Sequence, residues 1–474
     1  MQLLRRNHLS LSLFFIPPLL LLAALDFEKP APPSIRVVDI PFEACEVGFS
    51  GEACLTMYLQ SRGYEISQEQ VFRRARIDVA EGRGCRADEL VRTARHFGID
   101  PGPVWHSFPA DSRHAHLQKI WRECLADLKA ERPSVLRVFE KEQPTFVLLT
   151  GYLPETDEVI LHDPRDEGGN SQRRDRIAFL SQCVFAEIGE PLELVRLKME
   201  GDLPPSWREP APAFSDADYA QHVRKLKENL PPGDFHVLVE KPFVVIGDES
   251  LSTLEQRSLR TIKWAVDRLK RDYFLKDPNQ IVDIWLFKNK PSYQKNVERL
   301  VGYAPTTKFG FYSSQHAVLV MNISTGGGTL VHEIVHPFME SNFPACPSWF
   351  NEGLASLYEQ CRDRDGHIWG STNWRLRGLQ GAIQSDRLPS FQELCSTSRE
   401  QFYHEDPGTY YAQSRYLCYY LQEKGLLRRY YETFRVNAKV DPTGYATLHE
   451  VLGQPDMDEF QREWEAYVMK LTFP

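Results

Sequence analysis

The sequence predicts a two-domain α+β protein, and three observations carry that prediction. The chain has 474 residues, more than a single hydrophobic core ordinarily serves. In the first half helical periods give way to short apolar runs, and in the second half strand-like runs lead into a largely helical remainder. A proline-rich junction lies between them. The expected division is a leading segment, 1–25, a first domain, 35–195, a junction, 196–241, and a second domain, 242–474, with a mixed sheet followed by a helical active-site subdomain.

Arg5, Arg6 and His8 precede an uncharged run from Leu9 to Leu25. A positive start and a short apolar stretch describe a secretory signal, with an uncleaved membrane anchor or a buried helix as alternatives. The chain is therefore expected to be exported: periplasmic, extracellular, or held on the outer face of a membrane. A net charge of −9 gives no global basic field and argues against a nucleic-acid partner. The nine cysteines show no close Cys-x-x-Cys spacing, so they offer disulfides or buried thiols rather than a cysteine metal site.

In the first domain, Val37 to Ile40 is strand-like, and Ala53 to Arg62, Gln68 to Ala75 and Ala87 to Phe97 read as amphipathic helices. Thr145 to Tyr152 and Glu158 to His162 are apolar runs with a turn between them, an antiparallel hairpin leading to Asp163-Pro164. The junction reads as a semi-rigid linker. Leu203-Pro204-Pro205, Pro210-Ala211-Pro212 and Pro231-Pro232-Gly233 break it around one helix, Asp216 to Leu230.

The second domain begins with a strand, Phe243 to Ile246, and a long helix, Ser252 to Phe274, in which Leu254, Leu259, Ile262, Ala265, Val266 and Leu269 share the apolar face. Ile281 to Phe287 is a second strand, Pro291 to Leu300 a helix, and Ala317 to Asn322 a third strand. As a sheet edge, that last strand is where an extended peptide would dock. Next comes His332-Glu333-Ile334-Val335-His336, a helix with Ser324 or Thr325 available as its cap. Residues i and i+4 share a helix face, so His332 and His336 aim two imidazoles at one point. Glu333 stands beside them as a general base. A catalytic zinc usually takes three protein ligands and leaves one position for water. Glu352, on a second helix from Asn351 to Glu359 beyond the turn at Pro344 to Pro347, is the third candidate. One Zn2+ ion is the expected cofactor and a peptide or protein the expected substrate, with Tyr410 or Tyr411 as donor to the oxyanion. In this reading Pro337 removes an amide and kinks or ends the motif helix.

With these residues the chain resembles the gluzincin metallopeptidases, especially bacterial peptidase-MA-like domains that carry a His-Glu-x-x-His helix and a Trp-Phe-Asn-Glu-Gly-Leu-Ala helix. The resemblance runs from about Pro242 to the C-terminus and includes Tyr410-Tyr411-Ala412-Gln413-Ser414 and Asp458 to Trp464. It implies zinc held by His332, His336 and Glu352 and hydrolysis of peptide bonds. Ser356 stands where some members of the family carry an aspartate that orients a histidine, so that partner is unassigned. The first domain resembles the C39-like, papain-related peptidase domain, but Ser50 falls at the nucleophile's position and Thr145 at the histidine's. Asp163 alone matches the third member, and Cys45 lies near the oxyanion glutamine. That resemblance implies a catalytically dead module retained for binding substrate or partner, with Cys54 and His162 as a remote alternative pair. A protein built from two inactive peptidase shapes that only binds peptides is the competing expectation.

Overall fold

The computed structural model describes residues 33–37, 39–140, 143–185, 191–201, 214–305, 307–453 and 456–473. The expected signal or anchor, 1–25, and the proline runs between 203 and 212 lie outside the described residues. Among those described, no helix is long and apolar enough to cross a membrane.

The N-terminal module is built on an antiparallel sheet. Its main path runs Trp105–Phe108, Leu192–Lys198, Ser134–Glu140, Gln143–Leu153, Glu158–His162, Gln172–Asp175. The predicted hairpin is its centre, with a register shift between Leu149 and Gly151. The helix Ser50–Ser61 is buried from Ser50 through Leu59, because the sheet lies against one side and the helices Gln68–Ala75 and Ala87–His96 against the other. All nine cysteines are unpaired.

The C-terminal module is a mixed five-stranded sheet in the order Gly310–Ser313, Val318–Asn322, Val282–Phe287, Phe243–Gly247, His236–Glu240. The inner three strands are parallel and the outer two antiparallel. Both faces are covered, which is why the inner strands read as unbroken apolar runs. Val245, Ile284, Leu286, Leu319 and Met321 face the core shared with the motif helix, Gly328–Asn342. Val244, Ile246, Trp285 and Phe287 face Tyr219 and Val223 of the helix Asp216–Glu228.

Four expectations are corrected here. The strand 318–322 is not the sheet edge: Gly310–Ser313 pairs outside it, a strand too short and glycine-interrupted to be read from periodicity. The helix predicted over 252–274 contains a π-helical turn at Ser258–Lys263 between the α-helices Leu251–Arg257 and Trp264–Asp272. The added residue per turn shifts the face, so Leu259 is 60% exposed while Ser258 is buried. The motif helix, expected to kink or end at Pro337, does not end there but continues to Asn342. Only the bond to the Glu333 carbonyl is forfeited, and burial of Pro337, Phe338 and Met339 offsets a cost of about 3 kcal/mol. Finally, the helix of the expected semi-rigid linker is packed against both modules. His222 Nε2 lies 2.6 Å from Asp283 of the sheet, and Gln221 donates to the Val47 carbonyl of the N-terminal module at 2.9 Å.

Candidate metal centre

The motif helix starts at Gly328 without a side-chain cap. Ser324 and Thr325 turn back instead, donating to the side chain and the carbonyl of Asn322. Gly328 is required by close approach, since a Cβ there would meet the Glu359 carbonyl oxygen at 2.0 Å. That contact sets the motif helix against the end of the helix Ser348–Leu357, which carries Glu352.

His332, His336 and Glu352 bring one ligand atom each to within 4.8 Å of one another. His332 Nε2 is 3.2 Å and His336 Nε2 3.9 Å from Glu352 Oε2. Glu352 Oε2 is buried with no hydrogen-bond donor among the described residues. Two imidazole nitrogens and an orphaned carboxylate oxygen converging on one point form a donor set that fits zinc. The surrounding field fits too. Burial opposes charge on His332, but Glu352 and Glu359 outweigh it and raise its pKa to about 10. Burial likewise opposes charge on Glu352, yet His336, His332 and Tyr403 hold its pKa at about 2. The carboxylates of Glu352, Glu359 and Glu333 gathered around His332 favour a cation there.

Glu333 lies beside this point, 3.9 Å from His336 Nε2. Burial raises its pKa against the lowering effect of the two histidines and of the Tyr312 amide, which donates to it. A carboxylate kept basic in this way suits a general base.

The sequence did not disclose the groups that orient the centre. Asn351, next to the Glu352 position, accepts from His336 Nδ1 at 3.1 Å and so leaves Nε2 free to face the centre. Glu359 Oε1 is 3.5 Å from His332 Nδ1, a charge contact rather than a hydrogen bond. Arg375 grips both oxygens of Glu359 at 3.1 and 2.8 Å, and Asn373 adds a bond at 2.9 Å. Glu359 is thus a carboxylate beside the outer nitrogen of His332, and its i, i+7 relation to Glu352 was the available signal. Tyr403 donates to Glu352 Oε1 at 2.5 Å, pinning one oxygen while the other turns to the histidines. It lies on a separate short helix with no motif to announce it.

The two tyrosines expected at the centre separate. Tyr411 lines the same cavity of 1320 Å³ as His332, Glu333, His336 and Glu352, and burial with the nearby Glu352 raises its pKa. Tyr410 instead stacks on Phe402 with centroids 5.8 Å apart and is not among the cavity-lining residues. Adjacent helical positions diverge by about 100°, so only one of the pair faces the cleft.

In the N-terminal module, Ser50 Oγ accepts from the Phe146 amide at 3.0 Å, Thr145 is buried in its strand, and Asp163 is paired with Arg165 at 2.6 Å and Arg174 at 3.2 Å. Burial, then Cys45, Asp163 and Glu52, push the Cys54 thiol well above its usual pKa, the opposite of an activated nucleophile. His162 bonds Ser171 at 3.1 Å and meets Phe42 edge-on. The described contacts give neither Ser50 nor Cys54 an imidazole partner.

No protein-family model and no curated protein matches the chain. Among solved structures it is similar to the peptidase domain of Streptococcus ComA, a bi-functional ABC transporter involved in a quorum sensing pathway. The identity is 17%, the match covers 34% of this chain and 98% of that one, and the TM-score is 0.23.

Proposed function

We propose that the C-terminal module is a zinc-dependent peptidase of the gluzincin kind, acting on extended segments of peptides or proteins outside the cell. The observation that carries this reading is the convergence of His332, His336 and Glu352 with Glu333 alongside, in one cavity. A zinc ion held by those three residues would supply Lewis acidity, polarising the scissile carbonyl and bringing a water's pKa to about 7.

The chain's own groups account for the rest. Glu333 takes the proton from the attacking water and delivers it to the leaving amine. Tyr411, on the cavity wall, donates to the oxyanion. The strand Gly310–Ser313 supports docking of the substrate backbone. Phe309 gives its carbonyl to Asn322 of the neighbouring strand at 2.8 Å, so alternation turns the backbone groups of Gly310 and Tyr312 to the open edge. The Tyr312 amide reaches Glu333, which leaves the Tyr312 carbonyl and both backbone groups of Gly310 for a peptide.

Among the described residues the N-terminal module contributes none to the cavity lining and packs toward His236–Glu240 at the opposite edge of the sheet. We assign it a non-catalytic role away from the cleft. Export, and anchoring through residues 1–25, belong to the same proposal and rest on the composition of that segment.

Chelation tests the reading. Cleavage of an unfolded protein should vanish with a zinc chelator and return when zinc is restored, while cleavage indifferent to chelation would defeat it.

A further inference from the structure

The cavity holds two strong cations among its lining side chains, Arg375 and Arg399. Arg375 is committed to Glu359 through two contacts. Arg399 is exposed and makes no ion pair among the described residues; its recorded contact is with the Tyr403 ring, 5.6 Å from centroid to guanidinium carbon. It also lines the adjoining hollow of 670 Å³, together with Glu400, Tyr403 and His404. Arg399 therefore lines both the cavity that holds the candidate metal centre and the hollow beside it.

Resting on the peptidase reading, we propose that Arg399 is a specificity-determining residue that binds a carboxylate of the peptide. The donor fork of a guanidinium matches a carboxylate with two parallel hydrogen bonds, and the aromatic face beneath it holds the fork in place. The reach is right for a peptide. The Tyr403 hydroxyl is 2.5 Å from Glu352 Oε1 and its ring 5.6 Å from Arg399, so the guanidinium lies within about 11 Å of that oxygen, roughly three residues of extended chain. Opposite charge elsewhere in the lining sharpens the selection. Glu340 lines the cavity and accepts from the Tyr312 hydroxyl at 2.9 Å without a cationic partner among the described residues. An acidic group is thus favoured beside Arg399 and disfavoured beside Glu340. The carboxylate has two sources, an aspartate or glutamate side chain or the peptide's own C-terminus.

The test measures binding apart from turnover. Full-length, zinc-loaded Glu333→Gln protein is titrated by fluorescence anisotropy with labelled peptides of one neutral sequence carrying glutamate, glutamine or lysine at successive positions. All are amidated at the C-terminus except for one neutral peptide with a free carboxylate. We expect an acidic or free-carboxylate peptide to bind about tenfold tighter than its amide counterpart, a fold-change near one charge-assisted contact. Arg399→Gln should abolish the preference and Arg399→Glu should turn it toward lysine. Preference for the glutamate peptides assigns the carboxylate to a side chain, and preference for the free C-terminus assigns it to the chain end. Equal Kd for acid and amide, no binding, or a preference that survives Arg399→Gln overturns the proposal. Wild-type cleavage of the same peptides separates the two claims. Arg399-dependent binding without cleavage leaves the subsite and sinks the peptidase, whereas cleavage blind to charge keeps the peptidase and sinks the subsite.

Discussion

In the proposed centre His336 is oriented by Asn351, which accepts from its Nδ1 at 3.1 Å, and His332 Nδ1 lies 3.5 Å from Glu359. Replacing Asn351 with Ala or Glu359 with Gln should therefore lower zinc affinity about 10–100-fold while leaving the fold intact, as measured by chelator competition. Tyr403→Phe should act through Glu352, freeing Oε1 from its hydroxyl and weakening zinc by a similar factor; unchanged affinity would make that bond incidental. In the other module, burial opposes the charge of Asp163, but Arg165 and Arg174 outweigh it and hold the carboxyl below its ordinary value of 3.8. Its folded pKa lies below its unfolded one, so its contribution is fully present above about pH 4 and is lost as pH falls through the folded value. Asp163→Asn should flatten the loss of stability to urea between neutral and acid pH. At this scale the sequence disclosed the motif residues, whose spacing is local. It hid Tyr403, which reaches Glu352 from a different helix, and it offered two tyrosines where helical geometry admits one.

Elements place these residues. Gly310 lies on the edge strand, and a Cβ there would meet the Met321 sulfur at 2.2 Å and the Val320 carbonyl at 2.6 Å. Gly310→Val should push this edge off its neighbour and reduce peptide turnover at least tenfold with zinc retained; turnover unaffected by the change would remove the strand from substrate binding. Helix bounds were most legible where local chemistry marks them. Gln68–Ala75 matches its prediction because Ser67 and Gln70 form a capping box and Arg76 closes the end in a left-handed conformation. The π turn at 258–263 was invisible because Leu259 fits a 3.6-residue period that the chain does not keep there. The persistence of the motif helix beyond Pro337 depends on tertiary packing, which outweighs a local breaker.

In the whole molecule, the helix Asp216–Glu228, legible in the sequence as a helix, is the piece whose packing the proline-rich junction concealed. Tyr219 and Val223 cover one face of the C-terminal sheet, while Ala217 and Ala220 pack with Phe49 and Phe72 of the N-terminal module. A chain truncated to begin at 214 should keep a stable C-terminal sheet. One beginning at 234 should expose Val244, Ile246 and Trp285 and aggregate, and Tyr219→Ala should cost roughly 3 kcal/mol in thermal or urea unfolding. Composition could divide the chain in two, but not show that the divider belongs to both cores. The central claim concerns the other face of that sheet and is tested most directly by zinc content and cleavage of an unfolded protein, measured together in the wild type and Glu333→Gln. The account predicts about one zinc per chain in both and cleavage in the wild type alone; no zinc in either, or equal cleavage by both, would contradict it.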